Sequence, residues 1–150
     1  MVVLRVAISV LWFLKNWVMK KTNMTNSIDG LRLDLQAILD ALQVVCDNCK
    51  EDGWDGYDAY CISSKTFKNA SDLVRALPVG IPAPEFTPDP YGDVVFGWRL
   101  DDKNNISVRI GYDSMLYYDA LIRSTAFSGG LKLSGKWPVS VIDIVKSLFE

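Results

Sequence analysis

Five of the six prolines fall within Leu77–Pro90, LPVGIPAPEFTPDP, and split the chain into two textures. Proline fixes φ and has no amide hydrogen, so no helix crosses this stretch. Upstream of it apolar residues recur three and four apart; downstream they alternate. Helices first and a sheet second, in a single domain, mean an α+β architecture. The prolines themselves are expected to run extended along the surface.

Upstream, Leu31, Leu35, Ile38, Leu42, Val45 and Cys49 define an amphipathic helix from about Asp29 to Lys50, with Ser27 or Asp29 as cap. In SSKTFKNASDLVRALP, Phe67, Ala70, Val74 and Leu77 form one face, Ser63 or Ser64 caps, and Pro78 stops the helix. Downstream, Val94, Phe96, Trp98 and Leu100 alternate with Val95, Gly97 and Arg99. After the polar turn DDKNN, Ile106, Val108 and Ile110 make the next apolar face. A three-residue loop at Tyr112–Ser114 brings Leu116, Tyr118 and Ala120 onto that face and puts Arg109 beside Tyr117 and Asp119. A two-residue loop would drive Asp119 into the core, at a cost no partner offsets. A further strand over Ala126–Leu133 is expected to be broken by a turn or bulge at Gly129-Gly130. Past Pro138, a helix carries Val141, Ile142, Val145, Leu148 and Phe149, with Ser140 and Asp143 as its capping box. The expected fold is therefore two N-terminal helices, a three- to four-stranded antiparallel meander and a C-terminal helix, with the helices on one face of the sheet.

The chain of 150 residues fits one domain, assigned to residues 27–150, behind an amphipathic or dispensable leader over residues 1–26. The leader's apolar run, Val6–Leu14, is shorter than the ~20 residues of a spanning helix. On a helix, Arg5, Ser9, Asn16 and Lys20 would form one stripe flanked by Trp12 and Phe13, so residues 1–21 could touch a membrane surface. Met19 and Met24 are alternative starts that would leave this segment out of the protein.

Net charge is -2, but four of the basic residues (Arg5, Lys15, Lys20 and Lys21) lie in that leader. The remainder carries twelve basic against eighteen acidic residues. An acidic body argues against direct nucleic-acid backbone binding and suits a basic protein partner. No histidine is present, which removes Ser–His and Cys–His nucleophile pairs and most zinc chemistry. Three cysteines make a poor disulfide framework and point to a reducing, cytoplasmic setting. Cys46-Asp-Asn-Cys49 has redox spacing, yet it falls at a helix C-terminus beside Asp47, Glu51 and Asp52, where thiol pKa values rise.

The densest chemistry is EDGWDGYDAYC, residues 51–61. Asp47, Glu51, Asp52, Asp55 and Asp58 could hold a divalent cation, and the three cysteines with an aspartate could hold zinc. The spacing lacks the downstream glutamate of an EF-hand, and structural thiols beside a solvated acidic loop account for it better; no metal or cofactor is expected. Gly53 and Gly56 suit turns, Asp55 can cap its own turn, and Trp54 and Tyr57 are expected to plug the gap between the first two helices and the sheet. A second constellation, Arg99, Arg109, Tyr117 and Arg123, lies on the strands' polar side, and Arg and Tyr are the types enriched in interface hot spots. An ordinary Arg109–Asp119 cross-strand pair is the plainer alternative.

Trp54-Asp55-Gly56-Tyr57, then Leu77-Pro78, Pro84, Pro88, and Gly92 with Val95 and Trp98, form a pattern over Trp54–Phe149. It resembles a family of small uncharacterised bacterial and phage proteins with a W-D-G-Y motif followed by a helix and an antiparallel sheet. The resemblance implies that fold and a bacterial or phage origin, without an activity. Asp58 departs from it, since the family places a small residue there. Together these features predict a non-enzymatic protein-interaction domain, antitoxin-like, immunity-like or a phage-encoded inhibitor. The alternatives are a carboxylate- and arginine-based hydrolase or transferase, and a membrane-peripheral protein held by its N-terminal helix.

Overall fold

The computed structural model describes the backbone of residues 28–150 and the side chains from residue 34 onward. The expected leader, its amphipathic stripe and the Ser27 cap lie outside the described residues. Residues Leu35–Glu150 form one compact unit, which contains the sheet. In chain order the elements are α1 (Ile28–Asn48), α2 (Ser64–Arg75), β1 (Glu85–Pro88), β2 (Val94–Asp101), β3 (Asn104–Ile110), β4 (Met115–Ile122), β5 (Thr125–Lys132) and α3 (Val139–Phe149). This is an α+β fold whose strands form one antiparallel sheet in the order β1-β2-β3-β4-β5. Among the described residues, no helix is long and apolar enough to cross a membrane.

Five strands replace the expected three or four. The extra one is β1, which lies inside the proline-rich link: Glu85, Phe86 and Thr87 pair with Gly97, Phe96 and Val95. Prolines at its margins are compatible with an edge strand, which hydrogen-bonds on one side only. The link is thus part of the sheet, and Phe86 is buried by it.

Alternation along β2–β4 sorts the sheet's two sides. Val94, Phe96 and Trp98 share the buried side with Ile106, Val108, Ile110, Leu116 and Ala120. α3 lies against β2, β3 and β4, and α2 against β2 and β3. The expectation that both N-terminal helices cover the sheet is corrected here: α1 reaches the core through its C-terminal half, by Leu42, Cys46 and Cys49, while α2 and α3 are the helices lying against strands. Phe86, Phe96, Trp98 and Trp137 form a chain of tilted and edge-to-face rings with centroids 4.9–6.5 Å apart. Both buried indoles are satisfied: Trp98 Nε1 donates to Pro82 O at 2.7 Å, and Trp137 Nε1 to Leu73 O at 2.8 Å.

Three local expectations are also corrected. Leu100 is exposed, because the register shifts between Arg99 and Asp101 and a bulge ends the alternation. Pro138, not Ser140, is the N-cap of α3, and no side chain caps that helix. Gly129-Gly130 is neither turn nor bulge but continuous strand, opposite Tyr118 and Tyr117. The Tyr118 ring lies across Gly129 on the buried side and the Tyr117 ring across Gly130 on the other, so aromatic faces fill the space two side chains would occupy. Ser63 does cap α2 as expected, accepting from Thr66 N at 3.1 Å.

A methyl group on Gly129 would stand 2.7 Å from the Tyr118 ring, too close unless the ring moves. Gly129→Ala should therefore destabilise the domain by about 1–3 kcal/mol in urea denaturation, although alanine suits a strand better than glycine. A variant as stable as the parent would show that the ring yields freely.

Candidate functional site

Three loops meet at the end of the sheet where β2 begins and β3 passes into β4. The first, between α1 and α2, is built by the W-D-G-Y motif. Gly53 and Gly56 adopt φ of 75° and 84°, which side chains resist. Asp55 Oδ1 accepts from Tyr57 N at 2.8 Å and from Ala59 N at 3.3 Å, and Asp52 Oδ1 accepts from Cys61 N at 2.9 Å. Gly53 N donates to Ala59 O at 2.7 Å, and Ile62 N to Cys49 O at 2.8 Å, which closes the loop on itself. Trp54 Nε1 donates to Tyr60 O at 2.9 Å while its half-buried ring packs on the core. Tyr57 does not plug the gap assigned to it. The turn that Asp55 caps turns its ring outward, where it is mostly exposed.

Pro90 O links the second loop to the first by accepting from Tyr60 N at 2.8 Å. In this loop Asp89 Oδ1 accepts from Tyr91 N at 2.8 Å, and Asp89 N donates to Asp93 O at 2.9 Å, a tight turn made by its own aspartate. The third loop, Gly111 to Ser114, is tied to α2: Asn69 Nδ2 donates to Gly111 O at 2.9 Å. Asp113 Oδ1 accepts from Met115 N at 3.0 Å. The Asp93 carboxylate lies against Gly111, nearer than a methyl group there would permit, and so joins the second and third loops.

The Asp93 carboxyl is also perturbed. Burial pushes its pKa up, the Arg109 guanidinium pulls it down, and Asp89 and Asp113 add to the rise. Arg109 Nε stands 3.5 Å from Asp93 Oδ2, too long for a hydrogen bond, and the guanidinium carbon lies 5.2 Å from the centre of the Tyr117 ring. The plainer Arg109–Asp119 pair does not form: Ser107 is opposite Asp119, and Tyr117 is opposite Arg109.

The four residues of the expected arginine–tyrosine patch are divided between the two ends of the sheet. Arg109 and Tyr117 stand together at the three-loop end. Arg99, four positions further along β2 and so ~13 Å away, pairs with Asp102 in the β2–β3 turn. Arg123 occupies the β4–β5 turn, its amide donating to Asn104 Oδ1 at 2.9 Å.

Asp47, Asp52 and Asp55 are engaged by local hydrogen bonds, and all three thiols are raised. Asp47 is held below the usual carboxylate range by Lys50 and Gln43, with the lysine nitrogen at 2.8 Å. Burial, with Cys49 and Asp47 adding to it, pushes the Cys46 thiol up to about 12; burial also raises Cys49 and Cys61. Raised thiols are poor nucleophiles and poor metal ligands. Among the described residues no group of three His, Cys, Asp or Glu is arranged to hold a metal ion.

Four tyrosines crowd the same end. Tyr57, Tyr60, Tyr91 and Tyr112 are 63–75% exposed, one or two from each loop. Tyr91 and Tyr112 were not singled out in the sequence, although Asp-Pro-Tyr-Gly and Gly-Tyr-Asp-Ser are turn sequences with an aromatic inside. A large aromatic at a turn tip has no core to join, and that was the available signal. Beside this end, Asn69, Asp72, Leu73, Ser114, Leu133 and Gly135 line a cleft of about 150 Å³. Small-molecule sites usually span ~300 Å³ or more.

No protein-family model, curated protein or solved structure matches the chain. The class of protein established is thus an α+β domain with a one-sided core, and its candidate site is the tyrosine- and aspartate-rich end of the sheet.

Two measurements test this end. Trp54→Ala should cost about 1–3 kcal/mol, less than the ~3–5 kcal/mol of Trp98→Ala, because one indole is half-buried and the other buried. Urea denaturation of both would refute the assignment if the order reversed. The Asp93 pKa is raised in the folded protein, so folding favours its neutral form, and the benefit fades as pH rises from about 4 through the raised value. Asp93→Asn should remove that share of the pH dependence, so stability relative to the parent improves between acid and neutral pH.

Proposed function

We propose that the domain is a non-enzymatic protein-interaction module that binds a basic partner through its tyrosine-rich end. The observation that carries this reading is the gathering of Tyr57, Tyr60, Tyr91 and Tyr112, all largely exposed, on three adjoining loops, the first two joined by the Tyr60–Pro90 hydrogen bond and the third by the close contact of Asp93 with Gly111. Tyrosine is enriched in interface hot spots and supplies contact area at little entropic cost. Loops fixed by their own aspartates present that area ready-formed, so little ordering free energy is lost on binding.

Glu51, Asp52, Asp58, Asp89 and Asp113 belong to the same three loops, and the body of the chain is acidic. Complementary charge would steer a lysine- or arginine-rich partner to this end and make its association salt-dependent. The lack of histidine, the raised thiols and the small cleft support binding over catalysis. An antitoxin-like, immunity-like or phage-encoded inhibitor role fits a module of this size, as does the resemblance of the Trp54–Phe149 pattern to small bacterial and phage proteins. Three cysteines without a disulfide suit a cytoplasmic setting.

Affinity capture with the full-length tagged protein from cells of its native source tests this. Partners held by the parent should be released by salt and lost from a Tyr60→Ser, Tyr91→Ser, Tyr112→Ser variant whose melting is unchanged. An Arg99→Ser, Arg123→Ser variant, altered at the opposite end, should retain them. Retention by the tyrosine variant would refute the assignment.

A further inference from the structure

The two edges of the sheet are unequal. β1 has four residues, with Pro84 before it and Pro88 at its end, which is how edge strands are kept from pairing. β5 has eight residues, no proline, and Lys132 as its only charge. Among the described residues it has a neighbour on one side only. The helix layer also stops short of it, since α2 and α3 lie against β2, β3 and β4. As a result Phe127 and Leu131, on the side of the sheet that carries the core, remain 44% and 37% exposed.

The β4–β5 turn fixes which backbone groups of β5 face outward. Ile122 pairs with Thr125 across a two-residue turn, Arg123-Ser124, with φ of 49° and 68°. Positive φ at both positions is the type I′ hairpin, whose closing pair is hydrogen-bonded. Alternation then turns the N–H and C=O of Thr125, Phe127, Gly129 and Leu131 towards β4 and those of Ala126, Ser128, Gly130 and Lys132 away from it. Four consecutive outward pairs are a template for another extended strand.

We infer that this strand is β5 of a second copy, paired antiparallel about a two-fold axis at Gly129, so that two sheets become one. This register uses all four outward residues: Ala126 meets Lys132 of the second copy, and Ser128 meets Gly130. Shifting it by one step either way leaves outward groups unpaired. The close, non-hydrogen-bonded pairs are then Gly129 with Gly129, and Phe127 with Leu131, each half-exposed apolar side chain covering the other.

The charges also complement. Lys132 is exposed on the side opposite the core, where Asp119 of β4 is exposed with no ion-pair partner among the described residues. In the paired sheet, Lys132 of one copy is two strands across and two residues along from Asp119 of the other, ~12 Å between Cα atoms. Only Ala126 and Ser128 stand between them, so the lysine chain can reach. The two Lys132 side chains lie at opposite ends of the joint and do not meet. A self-pairing strand needs both properties, and β5 has both.

Sedimentation of the full chain across the micromolar range tests the pairing. The parent should dimerise, and Ser128→Pro, which removes an outward N–H that the monomer does not use, should weaken the dimer roughly tenfold or more without lowering the melting temperature. Should that variant fail to fold, the charges provide the second test. Asp119→Lys and Lys132→Glu should each weaken dimerisation roughly fivefold, and the double variant should restore it. A parent that is monomeric throughout, a folded Ser128→Pro that still dimerises, or a double variant without restoration would each overturn the proposal.

Discussion

The Trp137 indole bonds the layers together. It stands in the link between β5 and α3, its ring packs edge-on against Phe96 and Trp98 of β2, and its N–H is accepted by Leu73 O in α2. One side chain thus joins the last helix, the second helix and a central strand. A buried indole N–H without an acceptor costs on the order of 1–3 kcal/mol, so this bond adds to the packing of Leu73 and Val74 in holding α2 against the sheet. Trp98 repeats the device at the other margin, where its N–H holds the proline link through Pro82 O and so positions β1 beside β2.

What the sequence made legible follows from how local each signal is. The β3–β4 register could be read because an error of one residue would have put Asp119 among Ile106 and Val108. The turn made by Asp55, with Gly53 and Gly56, could be read because its hydrogen bonds span at most six residues. Strand β1 was hidden: Glu85–Pro88 has too few residues to alternate and is surrounded by prolines, and what makes it a strand is the exposed edge of β2. Gly129-Gly130 was misread for the same reason. Two adjacent glycines signal a break in isolation, whereas here Tyr117 and Tyr118 lie across them from the neighbouring strand.

The candidate site was divided in a comparable way. Alternation placed Arg99 and Arg109 on one side of the sheet, which the strand pairing agrees with, but position along a strand decides whether two residues can act together. Asp93 draws Arg109 to one end, and Asp102 draws Arg99 to the other. Neither acid could be assigned from spacing, because one lies across a strand pair and the other in a turn whose bulge shifts the register. Arg109, the Tyr117 ring and Gly130 then form a short stack across three strands, so the guanidinium braces the ring that covers the glycine. That role is structural before it is anything else.

The aromatic residues divide by chemistry. Among the described side chains, Phe86, Phe96, Trp98 and Trp137 are buried, while Tyr57, Tyr60, Tyr91 and Tyr112 are out. A phenol is buried readily only where its hydroxyl finds a partner, and Tyr118 is the tyrosine whose ring packs part-buried on the core. That does not explain why four tyrosines stand at one end. Exposed serine or lysine would serve loops 51–61, 89–93 and 111–114 at least as well, since their turns are held by Asp52, Asp55, Asp89 and Asp113 and by backbone bonds. The turns thus hold outward four rings that their own hydrogen bonds do not require.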